Sequence, residues 1–135
     1  MHNYLLIDDD NIFNYIHSEV IEKVEPDAKI KIFTSSTEGL NYLKKKLDAK
    51  EPLPHVLFLD IRMPELDGFE FLEQLNAYPA ETVKQMSIYM LTSSLDDRDR
   101  MKANKNLLVK GFKSKTLTAG MLLDVLEELP ARKTD

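Results

Sequence analysis

The chain has 135 residues, with 18 lysines and arginines against 23 aspartates and glutamates, a net charge of −5 and no cysteine. That length suits one domain able to bury a core without cross-links, and the lack of cysteine excludes disulfides and thiolate metal sites while fitting a reducing cytoplasm. The acidic balance argues against nucleic acid as the main partner, because neutralising phosphates needs a basic surface, and no stretch reads as a membrane span or secretory signal.

A soluble, cytoplasmic protein is therefore expected. Its charge is uneven. Residues 1–97 carry 9 basic and 18 acidic side chains, whereas residues 98–135 carry 9 basic and 5 acidic ones. The basic part is either an ordinary solvated face or a surface for a partner.

Strands and helices alternate along the chain. The apolar run Leu5-Leu6-Ile7 predicts a first strand, which ends on Asp8-Asp9-Asp10. Ile12, Ile16, Val20 and Val24, with Phe13 beside them, predict an amphipathic first helix that stops before Pro26. Lys29-Ile30-Lys31-Ile32-Phe33 alternates as a second strand. Ser35-Ser36-Thr37-Glu38 offers a cap for a second helix with Leu40, Leu43 and Leu47 buried.

Glu51-Pro52-Leu53-Pro54 reads as a connector, since proline cannot donate to a sheet. Val56-Leu57-Phe58-Leu59 predicts a third strand that ends on Asp60, and Gly68 opens a third helix with Phe69, Leu72 and Leu75 inward. Residues 77–86 read as a loop or a short extra turn. Ser87 to Leu91 predicts a fourth strand ending on Thr92. A fourth helix is expected from about Ser94, with Asp96 and Asp97 at its positive end. Its apolar stripe, little beyond Leu95 and Met101, predicts the most loosely held helix of the fold. Leu107 to Ser114 reads as the fifth strand. Thr118 caps a fifth helix carrying Met121, Leu122, Val125, Leu126 and Leu129 on one face.

Such alternation with right-handed crossovers predicts an α/β fold, a five-stranded parallel sheet covered by helices on both faces. A dinucleotide-binding order would need closely spaced glycines after the first strand. The chain has only Gly39, Gly68, Gly111 and Gly120, and its acidic first turn would repel a pyrophosphate. The flavodoxin-like order 2-1-3-4-5 is therefore expected.

That order makes the first and third strands neighbours at the carboxyl edge of the sheet, where ligands bind. Asp8, Asp9 and Asp60 should converge there, with Thr92 and Lys115 arriving from the fourth and fifth strands. Gathered carboxylates repel one another unless a cation is present, and oxygen donors of this kind suit Mg²⁺. His2, His17 and His55 fall at the amino-terminal end, in mid-helix and at a strand entrance, so a histidine base is not expected and hydrolase triads are disfavoured. Asp10 reads as a helix cap and Asp67 as a turn residue.

Ile7-Asp8-Asp9-Asp10, the segment from Leu59-Asp60-Ile61-Arg62-Met63-Pro64 to Asp67-Gly68, Met90-Leu91-Thr92-Ser93-Ser94 and Phe112-Lys113-Ser114-Lys115 occur in this order. Together they resemble the CheY-like receiver domain of two-component response regulators over essentially the whole chain. The resemblance implies that Asp60 accepts a phosphoryl group from a phosphohistidine on a histidine kinase or a histidine phosphotransfer protein. It further implies that Asp8, Asp9, Asp60 and the backbone carbonyl of Arg62 hold Mg²⁺, while Lys115 pairs with one phosphoryl oxygen and Thr92 donates to another. Phe112 matches the family's switch aromatic. Arg62 and Ser94 would border the phosphoryl group.

The chain departs from the family pattern at Thr116, where proline usually follows the lysine. A trans Lys115–Thr116 bond is expected here, because cis before a residue other than proline is costly. The resulting expectation is a single receiver domain over residues 1–135 with no output module, which acts as a switch and not as an enzyme. Its output would pass through a protein bound to the face of the fourth helix, fifth strand and fifth helix. Two rivals are a Mg²⁺-dependent phosphohydrolase with an aspartate nucleophile and a pseudo-receiver that is never phosphorylated. The first would need a second acid where Arg62 stands.

Overall fold

The structure is a computed structural model that describes residues 1–93 and 96–130. Its elements in chain order are β1 (Asn3–Ile7), α1 (Asn11–Val24), β2 (Lys29–Phe33), α2 (Ser36–Asp48), β3 (Val56–Leu59), α3 (Gly68–Leu75), α4 (Ala80–Val83), β4 (Ser87–Thr92), α5 (Asp97–Lys105), β5 (Val109–Ser114) and α6 (Ala119–Glu127). The sheet is parallel throughout, in the order β2-β1-β3-β4-β5. This is the flavodoxin-like order expected from the sequence.

Alternation within each central strand divides the core in two. Leu5, Ile7, Leu57, Leu59, Ile88 and Met90 face a cluster completed by α2, α3, α4 and Ala103 of α5. Tyr4, Leu6, Val56, Phe58, Tyr89 and Leu91 face the opposite cluster, closed by Ile21 of α1 and by Leu122 and Val125 of α6. Burying β1, β3 and β4 on both faces explains their continuous apolar sequences. Each large aliphatic side chain so buried contributes about 2 kcal/mol.

Caps set the helix starts. Asp10 accepts from the N–H groups of Ile12 and Phe13, Ser35 from Glu38, and Thr118 from Met121. Asp67 does more than turn the chain: it forms a reciprocal capping box with Glu70 at the start of α3.

The expected stripe of α1 holds in its second half, where Val20 and Val24 pack partly buried against the core, and fails at its start. Ile12 is 70% exposed, and the buried positions are Asn14, His17 and Ile21. With Asp10 fixed as the cap, a helix of 3.6 residues per turn aims residues 14, 17 and 21 at the sheet. Residues 77–86 contain the one-turn helix α4, so the helix expected as fourth is α5 and the one expected as fifth is α6. Ser94 and Leu95 lie outside the described residues. Helix α5 begins at Asp97, capped by Asp96, and Met101 is 56% exposed instead of inward. Strand β5 starts at Val109, because Asn106 turns the chain by accepting from the Leu108 N–H and leaves Leu107 82% exposed. No helix among the described residues is long and apolar enough to cross a membrane.

Candidate functional site

Strands β1 and β3 pair with Ile7 opposite Leu59, so the next residue of each, Asp8 and Asp60, emerges side by side at the carboxyl edge. The Asp60 N–H donates to the Ile7 carbonyl at 3.0 Å, which extends the ladder one step and fixes both aspartates. Asp8 and Asp60 are buried, and Asp9 is exposed. One carboxylate oxygen from each of the three lies within 4.8 Å of the other two.

Lys115 completes the cluster. Strand β5 runs beside β4 with Ser114 opposite Thr92, and the Lys115 N–H donates to the Thr92 carbonyl at 2.8 Å. Its Nζ lies 2.6 Å from an Asp8 oxygen and 3.4 Å from an Asp60 oxygen, and its side chain is 5% exposed. The expected trans bond at Lys115–Thr116 is corrected: the bond is cis. Contacts on both sides hold this bend where sequence alone offers no proline. The Lys115 backbone and ammonium are tied as above, and Leu117 is buried in the α1/α6 cluster.

Burial and the Asp8 charge push the Asp60 carboxyl up to about 6, against the pull of the Lys115 ammonium and the Ile61 N–H. Three carboxylates against one ammonium leave an excess of negative charge on hard oxygen donors. That donor set fits a divalent cation such as Mg²⁺.

The loop after Asp60 is closely held. Gly68 donates its N–H to the Ile61 carbonyl, and the Ser36 hydroxyl donates to the Pro64 carbonyl while accepting from the Leu66 N–H. A Cβ on Gly68 would lie 2.6 Å from the Asp60 carbonyl oxygen and 2.7 Å from Met90 Cε, so only glycine fits there. Glu65 takes a left-handed φ of 70° and accepts from the Ser35 hydroxyl. Arg62 directs its guanidinium to α5, with Nη2 2.5 Å from Asp99 Oδ2. Thr92 is buried at the end of β4, and Phe112 of β5 is partly buried against the α2/α3 cluster.

Sequence reasoning missed part of α1. Asn14 donates from Nδ2 to the Asp8 carbonyl at 2.8 Å. His17 is 2% exposed and lines a small cavity with Asp8, Asn14 and Asp60. Burial, against the opposing field of Asp8 and helped by the Lys115 charge, lowers its imidazole to about 4. Phe13 stacks on His17 at 5.8 Å and carries the Lys115 ammonium 4.2 Å from its centroid. The signal lay in the 14, 17, 21 spacing counted from the Asp10 cap. His2 and His55 sit at the other end of the sheet, against Glu25 and the Asn3 N–H respectively.

Solved and curated proteins resemble this chain in sequence or fold. Chemotaxis protein CheY of Listeria monocytogenes is 31% identical over 125 residues, covering 92% of this chain and 95% of that protein. The crystal structure of a two-component response regulator from Cytophaga hutchinsonii superposes with a TM-score of 0.84 at 31% identity, covering 93% of this chain and 94% of that one. Response regulator Rcp1, solved in its Mn(2+)-bound form, matches in fold with a TM-score of 0.79 at 22% identity, over 97% of this chain and all of that one, 100%. The family model for the response regulator receiver domain matches residues 4–127. With Asp8, Asp60 and Lys115 joined at the edge of a 2-1-3-4-5 sheet, the chain belongs to the response regulator receiver domain family.

Proposed function

We propose that Asp60 is the phosphoacceptor of a Mg²⁺-dependent switch in two-component signalling. The observation that carries this reading is the buried Asp60 carboxylate, flanked by Asp8 and Asp9 and reached by the Lys115 ammonium at 3.4 Å. Asp8, Asp9 and Asp60, with the Arg62 backbone carbonyl, would hold the cation. When bound, it neutralises carboxylate and phosphoryl charge so that an anionic donor can approach.

An Asp60 oxygen attacks phosphorus of a phosphohistidine, the P–N bond breaks, and its electron pair returns to the imidazole nitrogen of the kinase or phosphotransfer protein. A carboxyl that titrates near 6 is ionised for this attack at neutral pH. Lys115, now on Asp8, can turn to a phosphoryl oxygen, and the Thr92 hydroxyl donates to another. That pull, with Phe112 beneath α5, is the switch.

The switched domain passes its state to a partner on the face made by α5, β5 and α6. Residues 98–115 hold 7 basic and 1 acidic side chains, which suits an acidic partner. Arg62 cannot serve as the second acid of a phosphohydrolase, and that disfavours an enzymatic reading. The test is to incubate the protein with Mg²⁺ and acetyl phosphate and measure intact mass. One added phosphoryl group is expected, absent from Asp60→Asn and absent in excess chelator. Labelling of Asp60→Asn to the wild-type level would overturn the assignment.

A further inference from the structure

Helix α5 is attached to the domain mainly through charge. Its buried positions are Asp99 and Ala103, so a single methyl group supplies its buried apolar contact. Its attachments among the described residues include the Arg62 guanidinium on Asp99, the Arg100 guanidinium 5.7 Å from the Phe112 centroid, and the Lys102 ammonium 4.5 Å from the Phe69 centroid. Asp99 is 7% exposed, a position where an apolar residue would anchor the helix without regard to ions. Apolar contacts do not respond to a new charge nearby. An ion pair does, and Arg62 stands two residues beyond Asp60, on the loop that leads away from it.

We propose that Asp99 is a positioning residue: by pairing with Arg62 it latches α5 to the loop after the phosphoacceptor and opposes the phosphorylated arrangement. The inference rests on the receiver reading above. A phosphoryl dianion on Asp60 competes with Asp99 for the Arg62 guanidinium, and the weakened pair frees the helix. Coupling of this kind is reciprocal: whatever phosphorylation takes from the latch, removal of the latch returns to the phosphorylated form. The pair is half open to water on the Arg62 side, whose side chain is 61% exposed, so the coupling is modest and sensitive to salt.

The test uses beryllium trifluoride, a phosphoryl mimic, titrated into the protein with Mg²⁺, together with hydrogen exchange of the α5 amides. Asp99→Asn is expected to bind the mimic about threefold more tightly than wild type, the scale of a partly exposed ion pair. Its α5 amides should exchange faster before any ligand is added, and Asp99→Glu should restore both properties. Raising salt should speed α5 exchange more in wild type than in Asp99→Asn. Faster exchange without tighter binding would mean that Asp99 only stabilises the helix, and would overturn the latch. If wild type itself shows no Mg²⁺-dependent binding of the mimic, the receiver reading falls and the latch with it. If wild type binds and Asp99→Asn binds equally, the latch alone falls.

Discussion

Replacing Lys115 by methionine keeps an unbranched side chain and removes the charge that lies over Phe13. The ammonium sits 2.6 Å from Asp8 and 3.4 Å from Asp60. At an effective dielectric near 20 these attractions are roughly 6 and 5 kcal/mol. Against them stand several kcal/mol for keeping the ammonium out of water, and the ability of Asp60 in the variant to take up a proton. About 3 kcal/mol of lost stability remains, within the range for broken buried pairs and equivalent to a fall in Tm of roughly 10 °C. Thermal unfolding at pH 7.5 without metal measures it. The deficit should shrink at lower pH, where the native carboxylates protonate, and should shrink again in saturating Mg²⁺, which replaces the missing positive charge. A variant as stable as wild type, or one indifferent to both pH and Mg²⁺, would refute the view that Lys115 holds an electrostatically overloaded site together.

Other expectations follow from the same geometry. The Asp60 carboxyl is raised from 3.8 to about 6 in the fold, so the metal-free protein binds the proton more tightly than the unfolded chain. That contribution to stability is fully present below pH 3.8 and is lost as pH rises through about 6; Asp60→Asn should remove this slope in denaturant titrations, and an unchanged slope would assign it elsewhere. Gly68→Ala should cost about 2 kcal/mol through the clash with the Asp60 carbonyl and Met90, and should weaken Mg²⁺ binding measured by calorimetry. Asp67→Ala should cost about 1 kcal/mol by removing the cap of α3 while leaving that affinity near wild type. Charge reversal at the exposed Lys105 and Lys110 should slow association with an acidic partner at low salt and have little effect at high salt.

The site was legible where chemistry follows directly from position in a strand. Asp8 and Asp60 each stand one residue past a doubly buried strand, and that register alone brings them together once the strand order is known. Thr92 and Lys115 followed from the same logic. Features that depend on helix phase were harder to read. Ile12 is apolar yet points to solvent, because the Asp10 cap assigns the inward positions to Asn14 and His17. On α5 one of the two inward residues is an aspartate, which hydropathy places outside, and its long-range pair with Arg62 is not encoded locally. Beside the cis Lys115–Thr116 bond, the contacts of Lys115 with Thr92 and Asp8 are likewise encoded by no local pattern.

The stack of His17, Phe13 and Lys115 gives the site a built-in spectroscopic probe. An imidazole that titrates near 4 remains neutral throughout the working pH range, so its C–H resonances are free of protonation exchange. Their chemical shifts then depend on the ring current of Phe13 and the electric field of the ammonium lying over it. Any event that draws Lys115 toward a new anion moves that charge away from the ring, and the displacement becomes readable at the neighbouring histidine. A one-dimensional proton spectrum of the unlabelled protein could thus follow the lysine, with no tag placed near the aspartates.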